Sequence, residues 1–598
     1  MKILNSIRGR WKFVGKFGAL KRIRNVSINK NKMIDSFLES INTNYTNNIR
    51  FYQHPVEKII WLIVYIIAII SMSFIIFDMT LEYQDSPTVT TVETNKYPIQ
   101  EINYPAISIC NINKISLSYA IDLAEELLEF KTTTYNFNLT VEELTSMIII
   151  MGNFYHFDIK EDELKQAYSL HTILERGYNG YNVERIMKRL LPRCRSILWQ
   201  CSWNGKDQDC NEIFFLKKTS DGHCCTFNSA RRFNDFDDTD SFIFASKTVE
   251  RSKETGSEYG LSVLLNPLLY DYTYKLLPIL GFKILIYSSF DYPNTFNGGV
   301  REIFVPPKVE MFLNLNAFSF YSMPVSRDNK LKILNKIDSL LLQDVIDYDI
   351  NQRDCLFSME QAKKFGGYYS YTNCISHCRT LDIISFCKCI PFFYLVTPDM
   401  ADVRNCNLKD LLCLKKYRER WLHLEPRYEK FMEPFHETKL PDGSCCITCN
   451  CLPSCEDITY TVSTSDIPLN IPYLYWNRKK TRINNHSLVH IYFGSSGTTR
   501  IRQDMLLYWY ELMSNYGGIC SFFLGISIIS LIEMLYFFII RRIKSESPPI
   551  MTTNSANNVN IKTINIEPRE SERAILYWKE ISGAVSKDID LTPLSLNR

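Results

Sequence analysis

Small and polar side chains interrupt the last hydrophobic stretch of the chain, between residues 517 and 542. The interrupting residues are, in chain order, Gly517, Ser521, Gly525, Ser527, Ser530 and Glu533. Gly517, Ser521 and Gly525 recur at every fourth residue. Small residues at this spacing let helix backbones approach closely, and helix packing is the commonest use of the pattern. A carboxylate inside a hydrophobic span normally faces a protein interior or a water-filled path. Both interpretations hold together if several copies of this helix pack around a polar axis.

Two hydrophobic runs are long enough to place such residues inside a bilayer. The first covers residues 59–77 and the second residues 519–540. About 20 residues in a helix span a hydrocarbon core roughly 30 Å thick. The first run lies too deep in the chain for a cleavable signal, and it is too long without a charge for a buried core helix. The sequence therefore predicts two membrane spans.

The distribution of charged residues and cysteines predicts on which side of the membrane each segment lies. Twelve Lys or Arg and three acids precede Ile59, and basic residues follow directly after Ile540. This bias places both termini in the cytosol. Of the 19 cysteines, 18 lie between the two runs, which is typical of a disulfide framework in an oxidising compartment. The alternative, a zinc cluster, is less favoured because the close pairs Cys387–Cys389 and Cys449–Cys451 lack the usual two-residue gap.

The predicted division of the chain follows from these boundaries. It has a cytosolic segment (1–58), a first transmembrane helix (59–77), an extracellular cysteine-rich domain (78–505), a pre-membrane segment with the second transmembrane helix (506–540) and a mostly disordered cytosolic tail (541–598). Strand patterns near 78–105, 255–320 and 456–495 and helical patterns near 115–175 and 408–426 predict a mixed α and β ectodomain. In the same region, Asn138 and Asn485 begin glycosylation sequons.

The net charge and the motif content of the sequence exclude several function classes or make them less favoured. A net charge of +3 is too small to indicate a nucleic-acid partner. The chain has no G-x-S-x-G, H-E-x-x-H or phosphate-loop motif, so we expect neither an enzyme nor a bound cofactor. An ATP-gated two-span channel would need a cluster of basic residues for phosphates and a different cysteine order. A receptor or adhesion subunit that does not conduct remains an open alternative.

A series of short motifs occurs in a fixed order between the two runs. The motifs are YPAISICN (104–111), CSWNGKDQDC (201–210), DGHCCTFN (221–228), GLSVLL (from 260), RDCLF (353–357), YYSYTNCISHCRTLDIISFCKCIPFF (368–393), CNCLPSCEDITY (449–460) and LMSNYGGICSFFLGISIISLIEMLYFFIIRR (512–542). This series resembles the degenerin/epithelial sodium channel family, and most closely its insect pickpocket type. The resemblance covers about residues 55–542.

The resemblance implies a plasma-membrane cation channel of three subunits, identical or related, that favours sodium ions and is often blocked by amiloride. It implies a hand-shaped ectodomain with a β-sheet palm and a helical finger and thumb. It also implies a pairing of fourteen cysteines: Cys110–Cys224, Cys201–Cys210, Cys355–Cys455, Cys374–Cys451, Cys378–Cys449, Cys387–Cys413 and Cys389–Cys406. The implied selectivity filter is Gly525, Ile526 and Ser527, and the implied pore and gate residues are Ser514, Asn515, Gly518, Ser521 and Glu533.

Two departures from the family pattern bear on these expectations. Four outside cysteines are additional: we expect Cys194 to pair with Cys225, which leaves Cys445 and Cys446 as a vicinal pair or as linked elsewhere. The family carries a His-Gly pair ahead of the first span, where this chain has Asn44-Tyr45. Glycine permits backbone conformations that are closed to tyrosine, so a tight turn before the membrane is altered here.

Overall fold

The computed structural model describes residues 55–85, 87–134, 139–178, 180–230, 249–322, 345–361, 364–365, 368–425, 447–469, 473–476, 479–525, 527, 529–530, 532 and 536. Residues 52–525 form one compact unit, and the two ends of the chain belong to a second. Asn138, Cys445, Cys446, Asn44, Tyr45, Ile526 and Glu533 lie outside the described residues.

Eleven helices are described, together with several short 3₁₀ turns. They are α1 Pro55–Asp85, α2 Leu117–Thr134, α3 Val141–Ile149, α4 Glu161–Gly177, α5 Val183–Leu190, α6 Cys194–Ile197, α7 Cys210–Ile213, α8 Ile350–Arg353, α9 Tyr371–Cys387, α10 Leu411–Leu422 and α11 Trp509–Leu524.

Helix α1 is the one described helix that is long and apolar enough to cross a membrane. Its apolar stretch is almost entirely exposed, and Phe74 is 70% exposed. The helix continues to Asp85 rather than ending at residue 77, where the hydrophobic run ends. In this extension the Thr80 hydroxyl donates to the Ile76 carbonyl. The second predicted span falls mostly outside the described residues, which contain its first part as α11.

Nineteen strands are described. They are β1 Thr88–Pro98, β2 Ala106–Asn111, β3 Asn113–Ser116, β4 Leu198–Trp203, β5 Lys206–Gln208, β6 Phe214–Thr219, β7 Gly222–Phe227, β8 Leu261–Leu265, β9 Tyr272–Lys275, β10 Phe282–Tyr287, β11 Arg301–Val305, β12 Val309–Ser322, β13 Leu424–Glu425, β14 Ile447–Thr448, β15 Glu456–Pro468, β16 Tyr473–Trp476, β17 Lys479–Arg482, β18 Ser487–Phe493 and β19 Gly497–Met505.

Two sheets organise the ectodomain. The larger has eight strands in the order β1-β19-β12-β18-β8-β4-β5, with β15 also paired to β12. The smaller has the order β11-β10-β2-β7-β6. Strand β12 shows the alternation expected of a half-buried strand, since Met311, Leu313 and Leu315 are buried and the residues between them are more exposed. These side chains join a core that both sheets share.

A second core is helical. Buried residues of α2, α3, α4 and α5 pack with residues of α9 and α10. Helix α3 lies in the predicted helical region 115–175, and Thr140 and Glu143 form a capping box at its start: the Glu143 amide donates to the Thr140 hydroxyl over 3.2 Å, and the Thr140 amide donates to the Glu143 carboxylate over 2.8 Å.

Eight disulfides hold these elements together. The seven pairs implied by the family resemblance are all present, and Cys194 is joined to Cys225. Three of them connect α9 to residues 449–451 or to α10, through Cys374, Cys378 and Cys387. The helical part next to α9 is therefore fixed covalently as well as by packing.

Candidate pore helix and its connections

The large sheet is connected at one edge to both α1 and α11. Strand β1 follows α1, strand β19 precedes α11, and the two strands pair antiparallel from Thr88–Met505 to Pro98–Gly497. The pairing continues to the helix ends, because the Leu506 amide donates to the Pro87 carbonyl over 2.8 Å. The end of α1 and the start of α11 are thus held together by the sheet.

Helix α11 begins with an aromatic cluster. Tyr508 caps the helix, its amide donating to Glu511 over 3.1 Å, and its ring stacks on Tyr510 with centroids 5.5 Å apart. Trp509 and Tyr510 are each 47% exposed. Exposed Trp and Tyr rings at a helix end are typical of the interface between membrane and water.

One side of α11 packs against α1. Tyr516, Ile519 and Phe523 are half-buried and recur at helical spacing. The Tyr516 and Thr80 hydroxyls are hydrogen-bonded over 2.8 Å, and the two helices are in contact. This side of α11 is therefore covered by α1 of the same chain.

The opposite side of α11 is open in the single chain. Ser514, Gly518, Ser521 and Gly525, spaced at i, i+4, i+7 and i+11, are all exposed, as is neighbouring Asn515. A Cβ atom added at Gly517 or Gly518 would meet no atom within 4 Å. Glycine within a helix costs about 1 kcal/mol relative to alanine. No contact in the described part of this chain requires the space that these glycines leave.

The helix ends at Gly525. This residue adopts φ +65° and ψ 20°, a left-handed conformation, and its amide donates to the Ser521 carbonyl over 2.9 Å. Glycine is the residue that takes this conformation without a steric penalty. A helix end leaves its last carbonyl groups outside the helical hydrogen-bond ladder, and the helix dipole places partial negative charge there. The backbone at Gly525 is therefore suited to a cation.

Ser527 lies in the chain's other unit and makes a local turn there. Its hydroxyl accepts from the Ser530 amide over 3.3 Å and is 3.2 Å from the Ser530 hydroxyl. Ser527 is exposed. The Ser527 hydroxyl lies two residues after the helix break and is exposed, so it can bind a ligand. It also contacts Ser530 within its own segment.

Two further contacts lie near the ends of the helices. One joins α1 to the segment before α8, and the other joins β19 to β1. The Tyr83 hydroxyl, near the outer end of α1, lies 2.6 Å from the Tyr348 hydroxyl. Burial and the bond to Tyr83 raise the pKa of Tyr348, so this hydroxyl is uncharged at neutral pH. On the sheet, the Gln503 amide group donates to the Thr88 hydroxyl over 3.0 Å, which joins β19 to β1 through side chains as well.

A cavity of about 320 Å³ lies beside β19. Its walls include Asp291, Glu456, Asp457 and Arg500. The Arg500 guanidinium is held between the rings of Tyr97 and Tyr321, 4.3 and 3.9 Å from their centroids. Burial raises the pKa of the Glu456 and Asp457 carboxyls. Ionisable groups therefore surround the strand that leads into α11.

Sequence reasoning brought Ser514, Gly518, Ser521 and Gly525 to attention, and the structure places them on one side of α11. It missed Thr80, Tyr83, Tyr348 and Tyr516. The partners of these residues are 265 and 436 positions away along the chain. No local spacing pattern could have identified them.

Comparison with known proteins gives a consistent result. Residues 37–537 match the family described as amiloride-sensitive sodium channel. The chain is 25% identical over 484 residues to the sodium channel protein Nach of Drosophila ananassae, covering 80% of this chain and 81% of that protein. It is 22% identical over 525 residues to pickpocket protein 28 of Drosophila melanogaster, covering 81% and 74%. It is 22% identical over 535 residues to the bile acid-sensitive ion channel of Mus musculus, covering 85% and 88%.

Proposed function

The chain belongs to the amiloride-sensitive sodium channel family, and on this premise we propose that it is a subunit of a trimeric, sodium-selective cation channel of the plasma membrane. The observation that carries the proposal is the pair of features on α11: a side of small residues that the single chain leaves open, and a helix end at Gly525 with a positive φ. Both features suit a helix that lines a cation path.

The proposed trimer explains why α11 contains two glycines that lower its stability as a helix. Gly517 and Gly518 weaken α11 by about 1 kcal/mol each relative to alanine, and nothing in the described chain uses the space. Three copies packed through this side would use it, because small residues let helix backbones approach. In this arrangement Ser514, Asn515, Gly518 and Ser521 line the outer pore, and Glu533 lies deeper along it.

The selectivity filter in this proposal is Gly525-Ile526-Ser527. Backbone carbonyl groups at the break in each helix replace part of the sodium hydration shell, and the Ser527 hydroxyls add a second ring of oxygen ligands. Non-helical backbone at this depth is tolerated because it lines water. Ser521, one helical turn before the break, is the position at which we expect amiloride to act.

The proposal also includes the side of the membrane on which each part of the chain lies. Both termini are cytosolic, the cysteine-rich domain is extracellular, and Asn138 and Asn485 carry glycans. A stimulus received by the ectodomain reaches the pore through β1, β19 and the Tyr83–Tyr348 contact.

The test is current recorded from cells that express the chain. We expect an inward current carried by sodium, reduced by amiloride, with a reversal potential that shifts when sodium is replaced by potassium. Replacing Ser527 by Ala or Cys should change the sodium-to-potassium permeability ratio. Ser463→Ala is the control, because it removes an exposed serine hydroxyl on β15 that the proposal does not use. Unchanged reversal potentials in the Ser527 variants would place the filter elsewhere.

A second candidate function is an accessory subunit that conducts only with related subunits. The observation that favours it is Asn44-Tyr45 in place of the His-Gly pair. This candidate predicts no current from the chain alone, with the protein present at the surface, and a changed current when a related subunit is co-expressed.

A further inference from the structure

Trp199 is exposed for a structural reason. Strand β4 pairs with β8 with a register shift between Leu198 and Gln200, so Trp199 is the extra residue of a β-bulge. A bulge redirects a side chain that would otherwise follow the alternation of the strand. Trp199 is 51% exposed, whereas Trp203 on the same strand is 4% exposed. The bulge therefore presents a large apolar ring at the surface of the sheet.

A glycosylation sequon lies directly beside this ring. Asn485, His486 and Ser487 form the sequon, and the His486 ring packs edge-to-face on Trp199 with centroids 4.9 Å apart. Asn485 precedes His486, so its Cα lies about 3.8 Å from that of the residue in contact with the indole. Asn485 is half-buried in a bend that leads into β18. A sugar attached to Asn485 would therefore begin at the residue directly before the one that packs on Trp199.

The same ring forms one wall of a polar cavity of about 300 Å³. The side chains of the other walls are mostly hydrogen-bonding groups, namely those of Arg195, Gln200, Asp207, Gln208, Asp209 and Asn211. The disulfide between Cys201 and Cys210 forms part of the cavity wall and constrains its shape. Its volume is near the lower end of the range for ligand pockets, about 300 to 1,000 Å³.

This combination suits a sugar ring. A pyranose has an apolar face of C–H groups, which packs on an indole, and a rim of hydroxyl groups, which hydrogen-bond to carboxylates and amides. Trp199 supplies the first kind of contact and the acidic and amide side chains of the cavity supply the second. A preorganised cavity lowers the entropic cost of ordering such a ligand.

We propose that the cavity beside Trp199 is a seat for the first sugar units of an N-linked glycan on Asn485, so that the glycan is a packed part of the ectodomain. The inference rests on the proposed extracellular location of this domain. The occupant is the chain's own glycan rather than a free saccharide, because the sequon is adjacent to the ring that forms the cavity wall.

The test uses the full chain made in insect cells and purified in detergent. Glycopeptide mapping first determines whether Asn485 is occupied. Oxidative labelling of Trp199 is then compared in three forms: with the intact glycan, with the glycan trimmed to its first N-acetylglucosamine, and with the glycan removed by an amidase. We expect Trp199 to be protected in the first two forms and labelled in the third. Trp509, which is similarly exposed, is the internal control and should not change.

Thermal stability gives a second readout. Asn485→Gln should lower the melting temperature by about 2 °C in the otherwise unchanged protein. The same change should have no further effect in Trp199→Ala, because the surface that the sugar covers is gone. In Tyr168→Ala, which removes an exposed aromatic ring from α4, the effect of Asn485→Gln should persist.

The outcomes separate this inference from the topology on which it rests. An occupied Asn138 with an unoccupied Asn485 would overturn the inference and leave the topology intact. If both are unoccupied, the inference fails, and the topology is then decided by the side of the membrane on which an epitope inserted near residue 420 is found. An occupied Asn485 with equal labelling of Trp199 in all three forms would also overturn it, since the glycan would then extend into solvent.

Discussion

Replacing Ser514 by Val tests whether the open side of α11 faces other subunits. In the single chain Ser514 is exposed, and it lies on the side of the helix opposite Tyr516, which packs toward α1. Two added methyl groups would therefore meet nothing within the subunit. Its fold and its surface expression should be unchanged. Any effect on the channel must come from contacts between copies.

The magnitude follows from packing in the closed state. If the three α11 helices converge near their outer ends, the larger side chain is forced into a close contact, which typically costs about 1–3 kcal/mol. With about 1 kcal/mol from each of three copies, the closed state loses about 3 kcal/mol. Since 1.4 kcal/mol corresponds to a factor of ten, the equilibrium shifts toward the open state by about a hundredfold. Ser514→Val should therefore produce a standing sodium current without a stimulus.

The assay is voltage clamp with surface labelling of the same cells. The standing current should disappear when external sodium is replaced by a large organic cation. Met513→Phe is the control, because Met513 is 60% exposed on the flank of the helix and the change enlarges a side chain away from the proposed axis. Equal standing currents from both variants would refute the assignment of helix sides. An absent standing current from Ser514→Val, in a protein whose unmodified form conducts when stimulated, would refute the packing argument.

Three further predictions concern the ectodomain. Tyr83→Phe and Tyr348→Phe should be non-additive in gating, with a coupling energy of about 0.5–1.5 kcal/mol per subunit in a double-mutant cycle; additive effects would mean that the hydroxyl pair is unimportant. Burial lowers the pKa of His223, so its contribution to stability is present above its unfolded pKa and is lost as the pH falls through its folded pKa; melting curves between pH 7 and 5 should show a smaller loss for His223→Gln. Replacing Cys194 and Cys225 together by Ser should lower ectodomain stability by about 4 kcal/mol from loop closure over 31 residues, measured by denaturant unfolding; a change below about 1 kcal/mol would contradict this.

Local patterns predicted local structure well. The capping box of Thr140 and Glu143 was identifiable because both residues lie within one helical turn. The strand pattern near 255–320, which contains most of β12, was identifiable for the same reason, since it depends on neighbours in the chain. The cysteine pairing came from family resemblance rather than spacing, because spacing alone permits many connectivities.

The extent of α1 was harder to predict because hydrophobicity reports contact with lipid rather than helix formation. The hydrophobic run ends before Asp78, whereas the helix continues to Asp85. Residues such as Leu81 and Glu82 are good helix formers, and they lengthen the helix beyond the apolar run. The contacts of this extension, including that of Tyr83, could not be predicted because their partners are distant in sequence.

In the proposed channel, the extension of α1 gives the ectodomain a second attachment to the pore. The first is the sheet edge, where Leu506 and Pro87 hold the outer ends of both helices together, so those ends cannot separate without breaking the β1–β19 pairing. A gating movement is therefore easier as a rotation or tilt of the two helices as a pair. The Tyr83–Tyr348 contact lies in the last turn of α1, about one helical turn from this pivot, next to the turn that leads to α8. A displacement of that turn would pull on the end of α1 through this contact, and one hydroxyl contact per subunit is weak enough, at about 1 kcal/mol, to be broken by a stimulus.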